Sequence, residues 1–153
     1  QPTEDENRGI LSTHLHSNGA DAEILAMYNP GTHANYWKEK LASFNDGEMA
    51  DMFMSHAMID NAELFPNMDG PQVFKTAVVK FPEVIMEALT KNNYSPVDLN
   101  LLIPHQANLR IAQFVQQKLK LHDDQVYNNI QKYGNTTAAS VPIALCEAYE
   151  MGK

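Results

Sequence analysis

With 153 residues, 44% of them hydrophobic and 20% charged, the chain is long enough to bury one core, and nothing in its length demands two domains. Lys and Arg total 11 against 19 Asp and Glu, a formal net charge of -8, which argues against nucleic acid as a general partner because phosphate binding needs basic surface. No run reaches the roughly 18 apolar residues of a membrane span, and the polar start from Gln1 to Arg8 has no signal-peptide pattern, so a cytoplasmic location without a membrane partner is expected. Cys146 is the only cysteine, which excludes an intrachain disulfide and a thiolate zinc cluster. It lies in the apolar helical pattern Ile143-Ala144-Leu145-Cys146, where a small buried hydrophobe is the expected role rather than a nucleophile.

Taken in order, Gly9 to His16 reads as a strand closing near Ser17-Asn18-Gly19, a turn signal. His14 and His16 would project from one face at a metal-compatible spacing, but no third ligand accompanies them, and no metal is expected. Asn29-Pro30-Gly31 is a turn, and the segment from Asp46 to Ile59 carries Met49, Met52, Phe53, His56 and Ile59 at helical spacing. Its methionines suit either a core or the irregular wall of a ligand site. After the break at Phe65 to Pro71, a long helix is predicted in which Val73, Phe74, Ala77, Val78, Phe81, Ile85, Ala88 and Leu89 line one face. Pro82 implies a kink or a break near Phe81.

Asn92-Asn93 ends that helix, and Ser95-Pro96-Val97-Asp98 has the form of a new helical turn with Ser95 as its N-cap. A strand from Leu99 to Ile103 then leads into Pro104-His105-Gln106-Ala107-Asn108. Beyond it Leu109, Ala112, Phe114, Val115 and Leu119 predict a helix to about Leu121, and His122-Asp123-Asp124 a short turn. Val126 to Ile130 reads as a strand, Lys132 to Asn135 as a loop, and Thr136 to Met151 as a final helix. Strands alternating with helices favour an α/β layered fold.

Two of these junctions are alike. Each places a hydrogen-bonding side chain, His105 or Asn135, just before a helix, whose N-terminus exposes unpaired N–H groups and partial positive charge. That field disfavours an imidazolium, so His105 should tend towards neutral and donate one hydrogen bond, while Asn135 donates through its amide at any pH. Two such donors converging on one point would form an oxyanion hole, worth about 3–4 kcal/mol per donor.

The segments that carry these residues, Ile103-Pro104-His105-Gln106-Ala107-Asn108-Leu109-Arg110-Ile111 and Gly134-Asn135-Thr136-Thr137-Ala138-Ala139-Ser140-Val141-Pro142, closely resemble the His and Asn motifs of beta-ketoacyl-acyl-carrier-protein synthase III. Gly9 to His16 and Met68 to Val78 also look like that family. The resemblance implies the C-terminal half of an α/β thiolase-like fold, a mixed sheet with helices packed on it, filling residues 1–153. An enlarged insertion at about residues 20–65 would distinguish this chain, and the N-terminal half and final strands of the fold would be absent.

The resemblance further implies a Cys-His-Asn constellation in which His105 and Asn135 are catalytic and the cysteine lies in the other half. Cys146 matches no catalytic position, so the isolated chain should not condense by itself. In the family's reaction an acyl group from a coenzyme A thioester is condensed with malonyl-acyl-carrier protein, with loss of carbon dioxide, as a step of fatty-acid biosynthesis. No metal or organic cofactor is needed. Met68, Gly70, Phe74, Ala107 and Asn108 match positions lining the pantetheine tunnel. Lys75, Arg110 and, more loosely, Lys118 match positions that dock acyl carrier protein, an acidic partner that a local basic patch could steer. The complete enzyme would be a homodimer. Two other readings are compatible with these motifs: a thiolase-fold acyltransferase of secondary metabolism, and a non-catalytic subunit that binds carrier protein.

Overall fold

The computed structural model describes residues 4–5, 8–28, 56–62 and 64–153. Asn29-Pro30-Gly31, the aromatic residues Tyr36, Trp37 and Phe44, and Met49, Met52 and Phe53 lie outside them. The chain divides into two compact units, one made of Gln1–His16 with Phe74–Lys153 and the other of Ser17–Val73.

In the Ser17–Val73 unit, strands β1 (Leu25–Ala26) and β2 (Asn67–Met68) pair antiparallel, Leu25 opposite Met68. The predicted turn after Ser17 is a single 3-10 turn at Gly19–Asp21, capped by the Asn18 side chain, which accepts from the Ala20 N–H at 3.1 Å. A short helix α1 (His56–Asp60) carries Met58 into the interior at 1% exposure. Asp69 ends β2 and opens the long helix α2 (Gly70–Lys91): its carboxylate accepts from the Gln72 N–H at 3.0 Å, satisfying a donor that the first helical turn leaves orphaned.

In the other unit, α2 lays Phe74, Ala77, Phe81 and Ile85 on the core, at the three-and-four spacing its sequence predicts. Pro82 does not break the helix. One missing N–H removes one ladder bond; Pro82 is buried, and Phe81 before it and Ile85 after it both pack against the core cluster. Opposite lies α3 (Leu109–Leu119), which buries Ile111, Val115 and Leu119 at i, i+4 and i+8 together with Ala112. This corrects the predicted seam, because Leu109 and Phe114 are 38% and 42% exposed. Leu121 and Val126 complete the cluster, with Leu99 and Leu102 against it.

The two apolar runs expected as strands meet in one parallel bridge, Leu102 with Val126. Leu102 donates to the Gln125 carbonyl at 2.7 Å and accepts from the Tyr127 N–H at 3.0 Å. Ile130 does not continue the strand but starts a four-residue helix, α4 (Ile130–Tyr133). The last helix, α5 (Ser140–Glu150), is preceded by a 3-10 turn at Thr137–Ala139. It turns Ser140, Ala144 and Ala148 inward, the latter two at 0% and 1% exposure. Small residues there let the helix approach its neighbours closely. Cys146 stands two residues from Ala144 and Ala148, hence on the opposite side, and is exposed rather than buried, with its Sγ 3.8 Å from Glu150.

The predicted strand at Gly9–His16 has no strand partner among the described residues. Its side chains hold it instead. Asn92 donates to the Ser12 hydroxyl at 2.6 Å, Ser12 lies 2.9 Å from His14 Nε2, and His14 Nδ1 and His16 Nε2 contact the two carboxylate oxygens of Glu87 at 2.8 and 2.7 Å. These bonds, that of His14 first and then that of His16, hold the Glu87 carboxyl below its ordinary value.

Candidate active site

The bridge between Leu102 and Val126 sets two backbone segments side by side and parallel, so their carboxyl ends emerge together. From one end comes the loop Ile103 to Asn108, and from the other Tyr127 to Asn129 and α4. A buried side chain joins them where the ladder stops. Gln106 is 3% exposed, and its Oε1 accepts from the backbone N–H groups of Asn129 and Ile130 at 3.0 and 3.1 Å. Its amide nitrogen donates to the Pro104 carbonyl at 2.8 Å. Gln106 therefore stands in for a strand partner, satisfying donors that neither sheet nor helix can take.

His105 points the other way, with its ring at the surface. Its Nδ1 lies 2.5 Å from the hydroxyl of Ser140, the first residue of α5 and itself only 2% exposed. The same hydroxyl accepts from the Gln106 N–H at 3.3 Å and stands 2.9 Å from the Thr137 carbonyl. The His105 loop and the turn that follows Asn135 thus share one buried hydroxyl.

Asn135 is exposed and is set by its immediate surroundings. Its Oδ1 accepts from the Thr137 N–H at 2.9 Å, which leaves the amide NH₂ free of that bond and able to donate outward. Gly134, at φ 68°, makes the change of direction that brings the chain from α4 to Asn135, in a backbone region glycine enters without strain. Thr137 sits at φ 51°, where a β-branched residue is held at a cost of order 1–3 kcal/mol.

Glu147 on α5 holds α4, and so the approach to Asn135, in place. Its carboxylate accepts from Asn129 Nδ2 at 2.6 Å and from the Tyr133 hydroxyl at 2.7 Å, and pairs with Lys132. These donors, led by Asn129, lower the Glu147 carboxyl to about 2, and the same ion pair raises Lys132 above its ordinary value.

Of the other residues singled out in the sequence, Phe74 packs on the core cluster, while Ala107 and Asn108 are exposed at the start of α3. The Asn108 side chain caps that helix, accepting from the Arg110 N–H at 3.0 Å. Met68, 59% exposed on β2, and Gly70, the first residue of α2, belong to the Ser17–Val73 unit. Lys75, Arg110 and Lys118 are exposed, and among the described residues none of them forms an ion pair. Arg110, Phe114 and Lys118 recur at four-residue spacing along a helix without acidic residues. Gln106, Ser140 and Glu147 have no role that sequence pattern alone reveals. The first two lie inside the His and Asn motifs, and the signal at Ser140 is a polar side chain on the helix face of Ala144 and Ala148.

The model of the 3-oxoacyl-[acyl-carrier-protein] synthase III C terminal family matches residues 89–153. A beta-ketoacyl-[acyl-carrier-protein] synthase III of Chlorobium phaeobacteroides is 35% identical over 150 residues, covering 98% of this chain and 40% of the relative. The synthase of that name from Clostridioides difficile is 40% identical over 146 residues, covering 95% of this chain and 39% of the relative. The chain therefore spans about two fifths of the length of these relatives. Among solved structures, 3-oxoacyl-[acyl-carrier-protein] synthase III from Aquifex aeolicus superposes with a TM-score of 0.57 at 47% identity, over 58% of this chain and 29% of that one. The protein of that description from Pseudomonas aeruginosa gives 0.57 at 36% identity, over 65% and 29%. Sequence and backbone agree: with its α/β thiolase-like fold, the chain belongs to the beta-ketoacyl-[acyl-carrier-protein] synthase III family and corresponds to the C-terminal part of it.

Proposed function

We propose that this chain supplies the two oxyanion donors of a decarboxylating Claisen condensation in fatty-acid biosynthesis. The observation that carries the reading is the shared Ser140 hydroxyl, which ties the ring of His105 to the head of α5 and to the turn that follows Asn135. In the reaction, malonyl-acyl-carrier protein loses carbon dioxide, and negative charge develops on its thioester oxygen. Hydrogen bonds from His105 and Asn135 stabilise that charge as it forms, which accelerates the step because the charge is greater in the transition state than in the ground state. The carbanion then attacks the carbonyl of an acyl-cysteine, giving a 3-oxoacyl product and releasing the thiolate. The acyl group comes from a coenzyme A thioester. Cys146 is not that nucleophile in this reading, since it faces away from Ser140 on α5, and the cysteine comes from the N-terminal half of the fold.

Carrier protein docks on Lys75, Arg110 and Lys118, and its pantetheine arm passes Met68, Gly70, Phe74, Ala107 and Asn108. Arg110 and Lys118, exposed on acid-free α3 and outside any ion pair among the described residues, support the docking surface. Val141, Leu145 and Tyr149, exposed at 38%, 57% and 80% along one side of α5, support a fold completed by further sequence over that face. The segment at about residues 20–65 shapes the acyl pocket or the contact of a homodimer. The enzyme works in the cytoplasm without a metal or organic cofactor.

In the complete enzyme, His105→Ala should lower malonyl decarboxylation by about 100–1000-fold while leaving transfer of the acyl group to the cysteine nearly intact. Single-turnover assays of the two half-reactions separate these effects. Undiminished decarboxylation would refute the oxyanion role.

A further inference from the structure

We infer that Ser140 is a positioning residue that selects the tautomer of His105. The inference rests on the oxyanion reading, in which the outward ring nitrogen, Nε2, must carry a proton. A neutral imidazole has one N–H, so its position decides whether the ring can donate to an oxyanion or only accept.

The hydroxyl of Ser140 has one proton and two neighbours that could take it, His105 Nδ1 at 2.5 Å and the Thr137 carbonyl at 2.9 Å. The carbonyl already accepts the backbone N–H of Ser140, so turning the hydroxyl away leaves no orphaned acceptor. Gln106 donates its own N–H to Ser140 Oγ, which polarises the O–H bond towards the shorter contact. With O–H donated to Nδ1, the ring proton sits on Nε2. His105 then presents a neutral donor outward, fixed from behind by a group that solvent does not reach, since Ser140 is 2% exposed. The reverse arrangement, Nδ1–H donated to Ser140, would turn a bare lone pair towards the oxyanion.

The test is histidine-¹⁵N NMR on the complete enzyme, with the His105 signals assigned by their loss in His105→Ala. The expected neutral-pH spectrum shows Nδ1 as an unprotonated acceptor and Nε2 protonated, and the opposite pattern would overturn the inference without any Ser140 variant. Ser140→Ala should mix the tautomers and lower the decarboxylation kcat by about 10–100-fold, the scale of lost outer-shell orientation, with KM little changed. Ser140→Thr, which restores the hydroxyl, should recover the single tautomer and most of the rate. An unchanged tautomer and kcat in Ser140→Ala would overturn the inference, as would a Ser140→Thr enzyme that folds but does not recover the tautomer. Retention of decarboxylation in His105→Ala would instead defeat the oxyanion reading, whatever the NMR shows.

Discussion

His105 and Asn135 are both exposed side chains close to helix starts, but they are fixed in different ways. Behind His105 stand two buried polar residues from its own loop and from α5, Gln106 and Ser140, and each makes bonds that span more than twenty positions in sequence, Gln106 to Asn129 and Ile130 and Ser140 to His105. Asn135 has a neighbour two positions on, Thr137, and is otherwise set by the backbone of Gly134 and the anchoring of α4 through Glu147. One donor is placed by tertiary structure and the other by local turn chemistry. The first should therefore lose more when a buried partner is replaced than the second does when its own side-chain bond is removed.

The largest effect should come from Asn135→Asp. The substitution keeps an Oδ1 that can accept from Thr137, so the turn survives, but it replaces the amide NH₂ by a second carboxylate oxygen. Decarboxylation by the complete enzyme should fall about 100–1000-fold, while the urea midpoint stays near that of the parent protein. A folded variant with normal decarboxylation would show that Asn135 is a turn residue and nothing more.

Gln106→Leu tests the other side of the contrast. Filling the site with an apolar side chain leaves the N–H groups of Asn129 and Ile130 buried without their acceptor, at about 1–3 kcal/mol each. Urea unfolding should therefore register a loss of about 2–4 kcal/mol, against less than about 1.5 kcal/mol for Asn135→Ala, which gives up a single local bond at the surface. Equal losses would mean that the two loops are held alike.

The same contrast explains how much could be read from the sequence. The long amphipathic face of α2, the N-cap position of Ser95 and the existence of the helices after each motif follow from local periodicity and capping chemistry, and they appear where expected. The turn at Asn135 is likewise local. Gln106 and Ser140 were invisible as anchors because their value depends on which backbone groups are left without partners, and that is decided only when Leu102 meets Val126. The run from Gly9 to His16 has the composition of a strand, but strand formation needs a partner edge, and side chains hold it instead, Glu87 of α2 and Asn92 just beyond it. Cys146 is exposed although its pattern predicts burial, because apolar residues occur all round α5 and hydrophobicity alone does not choose its inner face. The small residues Ser140, Ala144 and Ala148 choose it.

Glu147→Gln asks whether the local arrangement around Asn135 depends on charge. The folded value of about 2 lies below the ordinary 4.5, so the stabilisation by the carboxylate is fully present above the ordinary value and is lost as pH falls towards 2. Glu87 and Asp98 are also lowered, by His14 and Ser95 respectively, and they steepen the same acid limb in both proteins. The difference between parent and variant should isolate Glu147: urea midpoints converge as the pH is lowered and separate again towards neutrality. Parallel curves would show that the carboxylate contributes through shape and neutral hydrogen bonds alone.

The smallest expected change is at Asn108, the local tie at the far end of the His105 loop. Its side chain accepts from the Arg110 N–H and starts α3, and losing a cap of this kind costs about 1 kcal/mol. Asn108→Ala should lower stability by that amount in urea unfolding. Asn108→Asp should not, because aspartate caps equally well and places negative charge at the positive end of the helix. If the two variants were equally stable, the cap would contribute nothing, and the loop would be held wholly by Ser140 and Gln106. If only Asn108→Ala is weakened, the loop has a local cap as well as the buried anchors Ser140 and Gln106.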